Sequence, residues 1–295
     1  MILVLFCVVT ITFFLIRIAP GGPFTRERNL PPAIEQQLLA RYNLNGTLWE
    51  QYTGYMGRLV TGDLGVSTKY TSRTVKDLLA QTLPVSATLG ITAFILVTTA
   101  GISLGCLAAL RQHTWVDTTS MLSALALISI PTFVVGPVLA LIFGIWLRWL
   151  PVGGWSSLSA LVLPAVTLAG PYTAYVARLM RSSLMEVLGQ DFIRTARAKG
   201  LTEKRTVYRH ALKVALLPVV SFLGPLAANL LTGSIVVETI FNIPGAGPFF
   251  VNAIVTRDAF LLLGVVIVYC VLLVTLNFLV DLAYSVLDPR IRLYE

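Results

Sequence analysis

The sequence from Gln190 to Pro218 reads QDFIRTARAKGLTEKRTVYRHALKVALLP, a basic and largely polar segment that leads into an apolar run. Uncharged runs elsewhere occupy residues 78–110, 118–147, 149–177, 214–237 and 259–280. A helix needs about 20 apolar residues to cross the hydrocarbon core of a bilayer, so each run is long enough to be a transmembrane span. The basic segment therefore lies between two spans, and we expect it to dock on another protein.

The apolar residues 1–16 add a sixth predicted span, shorter than the others and ended by Arg17. This run has neither the basic start nor the small-residue cleavage site of a secretory signal, so we expect a retained helix whose first turn or two lie before Met1. Composition agrees with a membrane protein, since 56% of residues are hydrophobic, 12% are charged and the mean hydropathy is +0.80. Soluble domains carry about a quarter charged residues. The predicted fold class is therefore an all-α membrane protein with six transmembrane helices.

Basic residues are distributed unevenly between the two ends of these spans. With the amino terminus inside, the short outer loops hold only Arg148 and Arg257. The inner side holds twelve: Arg111, Arg178, Arg181, Arg194, Arg197, Lys199, Lys204, Arg205, Arg209, Lys213, Arg290 and Arg292. The positive-inside rule then predicts that both termini are cytoplasmic. The net charge of +8 is mostly this asymmetry and is not gathered on a soluble domain, which argues against nucleic acid as a partner.

The predicted organisation has four parts. Residues 1–19 form the first transmembrane helix, 20–84 an outer insertion, 85–289 a five-helix core, and 290–295 a cytoplasmic tail. Within the insertion, amphipathic stretches at Ile34–Tyr42 and Thr47–Val60 flank an Asn45-Gly46 turn signal, and a second turn signal follows at 62–65. We expect a small helical cap.

Catalytic and metal-binding readings find little support. Cys7, Cys106 and Cys270 lie singly in apolar runs, so no disulfide or metal spacing exists. The sequence GISLG at 101–105 fits G-x-S-x-G, but an intramembrane hydrolase needs a base near Ser103, and both histidines are placed at or beyond the cytoplasmic boundary. A GxxxG packing pair is the favoured interpretation. No phosphate-binding loop is present, so any ATP hydrolysis must occur elsewhere.

The basic segment itself predicts two capped helices. Asp191 is expected to cap a helix over 192–199, Gly200 to end it in the left-handed conformation, and Thr202 to begin a second helix toward Pro218. The first helix would form a knob with basic sides, Arg194 and Arg197, around a face made of Phe192, Ala196 and Lys199. An ordinary basic inner loop would explain the charge but not the caps.

With these features, the segment resembles the Glu-Ala-Ala loop of ABC-importer permeases. Arg194-Thr195-Ala196 stand in the Glu-Ala-Ala places and Gly200 in the glycine place; the leading Glu is absent, and Leu217-Pro218 come five residues later than the general spacing. RTARAKG followed by RHALK and LLP is typical of the peptide and nickel permease branch. The resemblance extends over nearly the whole chain through RIAPGGPFTRERNLPP, LPVSATLG, PVGGW, ETIFNIPGAG and DPRIR, and it is strongest to B-type permeases of oligopeptide importers.

The resemblance implies a type I ABC importer permease fold in a bacterial inner membrane, with 20–84 periplasmic and a cytoplasmic coupling loop at 181–217. The implied partners are a homologous second permease, two ATPase subunits, a periplasmic peptide-binding protein, the peptide and membrane lipid. No cofactor would bind this chain, because ATP and Mg would sit in the ATPase subunits. The residues that match the coupling loop are Phe192, Ile193, Arg194, Thr195, Ala196, Arg197, Ala198, Lys199, Gly200 and Leu201.

The implied function is a permease subunit of an ATP-driven peptide importer. A dipeptide, nickel or antimicrobial-peptide permease of the same fold is an alternative, and a passive channel or a secondary transporter is the alternative from another class. Polar residues in the fifth span predict a translocation path, although bonding to the partner permease would explain them equally well. These residues are Ser221, Asn229, Thr232, Ser234 and Glu238, the last of which could instead cap a helix.

Overall fold

The computed structural model describes residues 2–18, 36–37, 39–40, 42, 44–70 and 73–287. The predictions for most of Ile34–Tyr42, for the proline-rich start of the insertion and for the tail at 290–295 lie outside these residues. Apart from one antiparallel bridge between Val66 and Thr74, the described residues form helices, turns and loops. The main helices are α1 (Ile2–Ile18), α2 (Leu48–Val60), α3 (Val75–Leu110), α4 (Trp115–Ser129), α5 (Thr132–Leu139), α6 (Val162–Leu188), α7 (Asp191–Ala198), α8 (Glu203–Thr206), α9 (Leu212–Ala215), α10 (Leu217–Leu231), α11 (Ile235–Ile240), α12 (Ala246–Val255) and α13 (Ala259–Leu287).

Four helical stretches within the described residues are long and apolar enough to cross a membrane. They are Val75–Leu110, Leu158–Leu188, Leu217–Ile240 and Ala259–Leu282, and they correspond to four of the predicted spans. A bent pair, Trp115–Ser129 with Thr132–Trp146, makes a fifth if it is counted as one span. The helix α1 is apolar but has only 17 residues, so its assignment as a sixth span stays a prediction.

The run at 118–147 forms this bent pair and not a straight helix, because the chain bends by 104° between Ser129 and Thr132. The cause is Pro131, whose ring disfavours helical backbone at the preceding residue. Ile130 is accordingly extended, with φ −88° and ψ 121°. Helix α5 then starts after Pro131 and continues as a π-helical turn over Ala140–Trp146.

The third predicted core span is displaced from its uncharged run at 149–177. A 3₁₀ turn at Leu158–Leu161 leads into α6, which extends to Leu188. The loop before it contains Gly154 with φ +95°, a conformation that favours glycine over any other residue. The helix passes Arg178 and Arg181 because a buried apolar stripe continues on its other face through Ala177, Met180, Leu184 and Val187.

The chain divides into two compact units. The first comprises residues 1–85 and 245–272, and its core includes five aromatic side chains. The ring of Phe13 on α1 lies 5.5 Å from that of Tyr52 and 5.9 Å from that of Tyr55, both on α2. Helix α2 begins as predicted at Thr47, which forms a capping box with Glu50. The turn at Gly62–Gly65 is also confirmed, since both glycines have positive φ.

The second unit comprises residues 86–244 and the chain from 273 onward. Within it, α3 packs tightly on α6 through the two predicted packing glycines. A β-carbon at Gly101 would lie 2.7 Å from Cγ1 of Val176, and one at Gly105 would lie 2.5 Å from the carbonyl oxygen of Ala177. The side chain of Ser103 is exposed between them. The GISLG sequence is therefore a helix-packing motif, as the packing interpretation predicted.

Candidate functional site

The segment between α6 and α10 begins with α7, and its start differs from the prediction. Asp191 does not cap this helix. It is the first helical residue, while Gln190, with extended backbone, occupies the cap position without a side-chain cap bond. The Asp191 carboxylate instead lies 3.4 Å from the Arg194 guanidinium, and both side chains are highly exposed. An acidic residue in the first turn favours the helix through the macrodipole, which explains its helix-starting signal.

The end of α7 at Gly200 is as predicted. Gly200 has φ +79°, in the left-handed region. Its N–H donates to the Arg197 carbonyl at 2.9 Å, and the Leu201 N–H donates to the Ala196 carbonyl at 3.3 Å. These two bonds are the Schellman pattern, which satisfies carbonyls that a helix end leaves free. Helix α7 therefore ends at Gly200, and the chain turns there.

The second helix begins at Thr202, also as predicted. The Thr202 hydroxyl accepts a hydrogen bond from the Arg205 N–H at 3.4 Å. Helix α8 continues through a π-helical turn at Val207–Ala211 into α9, and α10 starts at Leu217 with Pro218 in its first turn. Proline is tolerated there because a first-turn N–H has no partner within its helix.

The face of α7 that is turned outward differs from the predicted one. Ile193 and Ala196 are buried, so Ala196 belongs to the inward face and not to the tip of the knob. The outward side carries Phe192, which is 41% exposed although it is a large apolar side chain. Thr195, Ala198 and Lys199 are exposed with it. Truncation of exposed aromatic anchors is often costly at protein interfaces, so this face suits a docking surface.

The two arginines predicted to flank the knob differ in their bonding. Arg194 is 73% exposed, and within the described part of the chain its ion-pair contact is the long one to Asp191. Arg197 donates from Nε to Oε2 of Glu203 at 2.9 Å and from a terminal nitrogen to Oε1 at 2.7 Å. These charge-assisted bonds hold the pKa of Glu203 below its usual value. Arg197 is thus paired within the chain.

A second arginine pair lies where α4 and α6 meet. Arg181 Nε is 2.5 Å from Oδ1 of Asp117, and a terminal nitrogen is 2.7 Å from Oδ2. The Asp117 carboxylate also accepts the His113 N–H at 3.2 Å. The side chains are only 7% and 23% exposed for Asp117 and Arg181, respectively. The pair fixes α6 seven residues before that helix ends and the chain enters α7.

Two of the five residues predicted for the translocation path lie on one exposed face of α10. Ser221 and Asn229 are exposed, and Pro218 and Pro225 lie on the same face at helical spacing. The Ser221 hydroxyl donates to its own helix at the Leu217 carbonyl, 3.0 Å away, and the Asn229 amide donates to the Tyr172 hydroxyl at 3.1 Å. Thr232, partly buried at the end of α10, donates to carbonyls of the preceding turn.

The last two predicted path residues lie beyond a break at Gly233, which has φ +98°. The Ser234 hydroxyl caps α11 by accepting the Val237 N–H at 3.4 Å. Glu238 is 0% exposed, and its carboxylate accepts a hydrogen bond from Ser86 at 2.7 Å. In this conformation Glu238 is therefore a buried structural carboxylate and not part of the exposed polar face. Its path role stays a prediction.

Sequence reasoning missed several links between distant residues. The Arg197–Glu203 pair has a weak sequence signal, opposite charges on either side of a helix-ending glycine. The Asp117–Arg181 and Ser86–Glu238 contacts join residues 64 and 152 positions apart, and no local pattern indicates such pairs. The PVGGW motif is bonded to the ETIFNIPGAG motif, since the Gly154 N–H donates to the Phe241 carbonyl at 2.7 Å. Among the described residues, no group of three or more His, Cys, Asp or Glu side chains is arranged to hold a metal ion.

Comparisons with known proteins agree over most of the chain. Residues 101–293 match the family described as the binding-protein-dependent transport system inner membrane component. The chain is 48% identical over 290 residues to the oligopeptide transport system permease protein of Salmonella typhimurium, covering 98% of this chain and 95% of the relative. It is 44% identical over 288 residues to the dipeptide transport system permease protein of Bacillus subtilis, covering 98% of this chain and 94% of that protein.

Solved structures show the fold. A chain of the MetNI methionine ABC transporter superposes with a TM-score of 0.57 at 17% identity, covering 72% of this chain and 96% of that chain. An amino acid ABC transporter gives a TM-score of 0.51 at 18% identity, with 70% and 93% covered.

Fold and comparisons together define a multi-pass membrane permease of the type I ABC importer fold. The chain belongs to the family of binding-protein-dependent transport inner-membrane components. It is a non-catalytic permease subunit, and its system includes ATPase and substrate-binding partners.

Proposed function

We propose that this chain is the permease subunit of an ATP-driven peptide importer and forms half of its translocation pathway. The observation that carries the substrate class is the similarity to the Salmonella oligopeptide permease over nearly the full length of both chains. The Bacillus relative is named for dipeptides, so peptides are the shared substrate and their length is the open variable. Nickel and antimicrobial peptides are the alternative substrates for a permease of the same fold.

The other half of the pathway would be a homologous second permease. Two ATPase subunits below and a periplasmic peptide-binding protein above complete the proposed complex. ATP and Mg belong to the ATPase subunits, and no cofactor is assigned to this chain. The exposed face of α10, with Ser221 and Asn229, offers the weakly polar wall that a path for varied peptides needs.

Coupling is assigned to α7 and its outward face. A short helix that is anchored inward by Ile193 and Ala196 presents Phe192 and Lys199 to the cytoplasm. Gly200, in the left-handed conformation, ends this helix, and the Schellman bonds satisfy carbonyls at its end.

The coupling assignment is tested by Phe192→Ala in the purified complex. We expect the permease to remain in the membrane while ATPase co-purification and peptide uptake both fall, because a central aromatic anchor commonly contributes 2 kcal/mol or more. Val60→Ala in the insertion is the matched control for ATPase co-purification, since it also truncates an exposed apolar side chain, 86% exposed, but lies outside the coupling segment. Normal co-purification and uptake with Phe192→Ala would overturn the assignment.

The proposed orientation places both termini in the cytoplasm of a bacterium and the insertion in the periplasm. Thr47 and Thr202 are both exposed, one in the insertion and one in the coupling segment. Single cysteines at these positions, in a chain that lacks its native cysteines, are expected to label from opposite sides of the membrane. Labelling of both by an impermeant outside reagent would refute the orientation.

A further inference from the structure

The Arg197–Glu203 pair joins two helices, not two turns of one helix. The residues are six positions apart, and Gly200 with its left-handed backbone lies between them. Both carboxylate oxygens of Glu203 are engaged, at 2.9 and 2.7 Å, by two nitrogens of one guanidinium. Such a bidentate pair fixes both the distance between two side chains and the plane in which they meet. It therefore constrains the angle at which α7 leaves α8.

The backbone and cap hydrogen bonds at the two helix ends do not by themselves fix the angle between α7 and α8. The Schellman bonds end α7, and the Thr202 cap begins α8, but each acts at one helix end. Inward packing of Ile193 and Ala196 holds one face of α7. The ion pair joins exposed side chains of the two helices across Gly200.

The two arginines of α7 consequently differ in how accessible their positive charge is to a partner protein. The Arg197 guanidinium already faces a carboxylate within its own chain. Arg194 lies one turn earlier and is far more exposed, and within the described part of the chain its ion-pair contact is the 3.4 Å one to Asp191. The depressed pKa of Glu203, caused first by its hydrogen bonds from Arg197, agrees with a carboxylate that stays ionised and paired at neutral pH.

We propose that Arg197 is a positioning residue for coupling: its bidentate bond to Glu203 sets the angle between α7 and α8 and so aims the Phe192 face at the ATPase subunit. This role rests on the proposed coupling function of α7. Arg194 and Lys199, in contrast, supply exposed positive charge on the docking face.

The test is a charge exchange in the assembled complex. Arg197→Glu is expected to lower ATP-driven peptide uptake about three- to fivefold, the range for losing one well-formed exposed ion pair, and Glu203→Arg to do the same. The double variant Arg197→Glu/Glu203→Arg keeps the net charge of the original chain and is expected to recover most of the uptake. Arg197→Lys keeps the charge but not the bidentate geometry, so we expect an intermediate value. Arg194→Glu, with the same charge change as Arg197→Glu, is the control that no change at Glu203 should rescue.

A structural readout separates positioning from direct docking. Spin labels at Thr195 and Tyr208, both exposed, report the α7–α8 geometry in the complex without reference to transport. Arg197→Glu is expected to broaden the interspin distance distribution, and the double variant to restore it. An unchanged distribution in Arg197→Glu would overturn the positioning role. A restored distribution with uptake still lost in the double variant would also overturn it, because Arg197 would then contact the ATPase directly. Normal uptake by Phe192→Ala would refute the coupling function itself, and the distance measurement would show whether the ion pair still sets the geometry.

Discussion

Replacing Asp117 with alanine removes the carboxylate that holds α6 against the start of α4. Arg181 would keep its charge in a position where only 23% of its side chain is exposed. Breaking a fully buried ion pair costs about 3–5 kcal/mol, whereas an exposed pair contributes about 1 kcal/mol or less. This pair lies between the two cases, because Asp117 is nearly buried and Arg181 is not. We therefore expect Asp117→Ala to lower the free energy of unfolding by about 2 kcal/mol.

The assay is a double-mutant cycle with Asp117→Ala, Arg181→Ala and the double variant, each unfolded by SDS in mixed micelles and followed by tryptophan fluorescence. Two bonds, at 2.5 and 2.7 Å, should give a coupling free energy of about 1–2 kcal/mol. Asp191→Ala, which removes a partner from the exposed Arg194 and an acidic residue from the first turn of α7, is the control and should cost less than about 1 kcal/mol. Additive effects of the two single variants, within about 0.3 kcal/mol, would refute the reasoning.

Two further predictions concern the helix contact and the path. Gly105→Ala would place a β-carbon 2.5 Å from the Ala177 carbonyl oxygen and should lower the free energy of unfolding by about 1–3 kcal/mol in the same SDS assay. Gly57→Ala, in open space on α2, is the control and should be neutral or stabilising by up to about 1 kcal/mol. Equal effects of the two variants would contradict the packing role of Gly105. Asn229→Trp, on the exposed face of α10, should leave the complex intact and slow peptide uptake, with Ile91→Trp on the exposed side of α3 as control. An intact Asn229→Trp complex with unchanged uptake of long peptides would count against the path assignment.

Local sequence signals predicted local structure well. Gly200 and Thr202 act where their backbone and cap preferences placed them, and Gly101 and Gly105 pack as a small-residue pair should. These features were predictable because each depends on a residue and its near neighbours. The family resemblance then supplied the fold and the class of function.

Features that depend on tertiary contacts were not predictable in the same way. Ala196 was placed on the outer face of α7, but the packing of Ile193 turns that face inward. Glu238 appeared available to a polar path, and only the fold brings Ser86 to its carboxylate. Pro131 indicates a bend in its span, but hydropathy does not give the size of that bend, since a bent helix pair has the same apolar composition as a straight span. The uncharged run at 149–177 likewise predicts the wrong bounds for α6, which ends at Leu188, because a helix with one buried face tolerates arginines on the other.

The most direct test is ATP-driven uptake in a defined system. The complete complex, reconstituted in lipid vesicles with peptide-binding protein outside and ATP available to the ATPase subunits, should accumulate a radiolabelled oligopeptide above its external concentration. Omission of either the ATPase subunits or ATP should abolish the accumulation, because the proposed function gives this chain a path and a coupling surface but no source of energy. Passage of the peptide through vesicles that contain this chain without the ATPase subunits would identify a channel and contradict the assignment as an ATP-coupled permease.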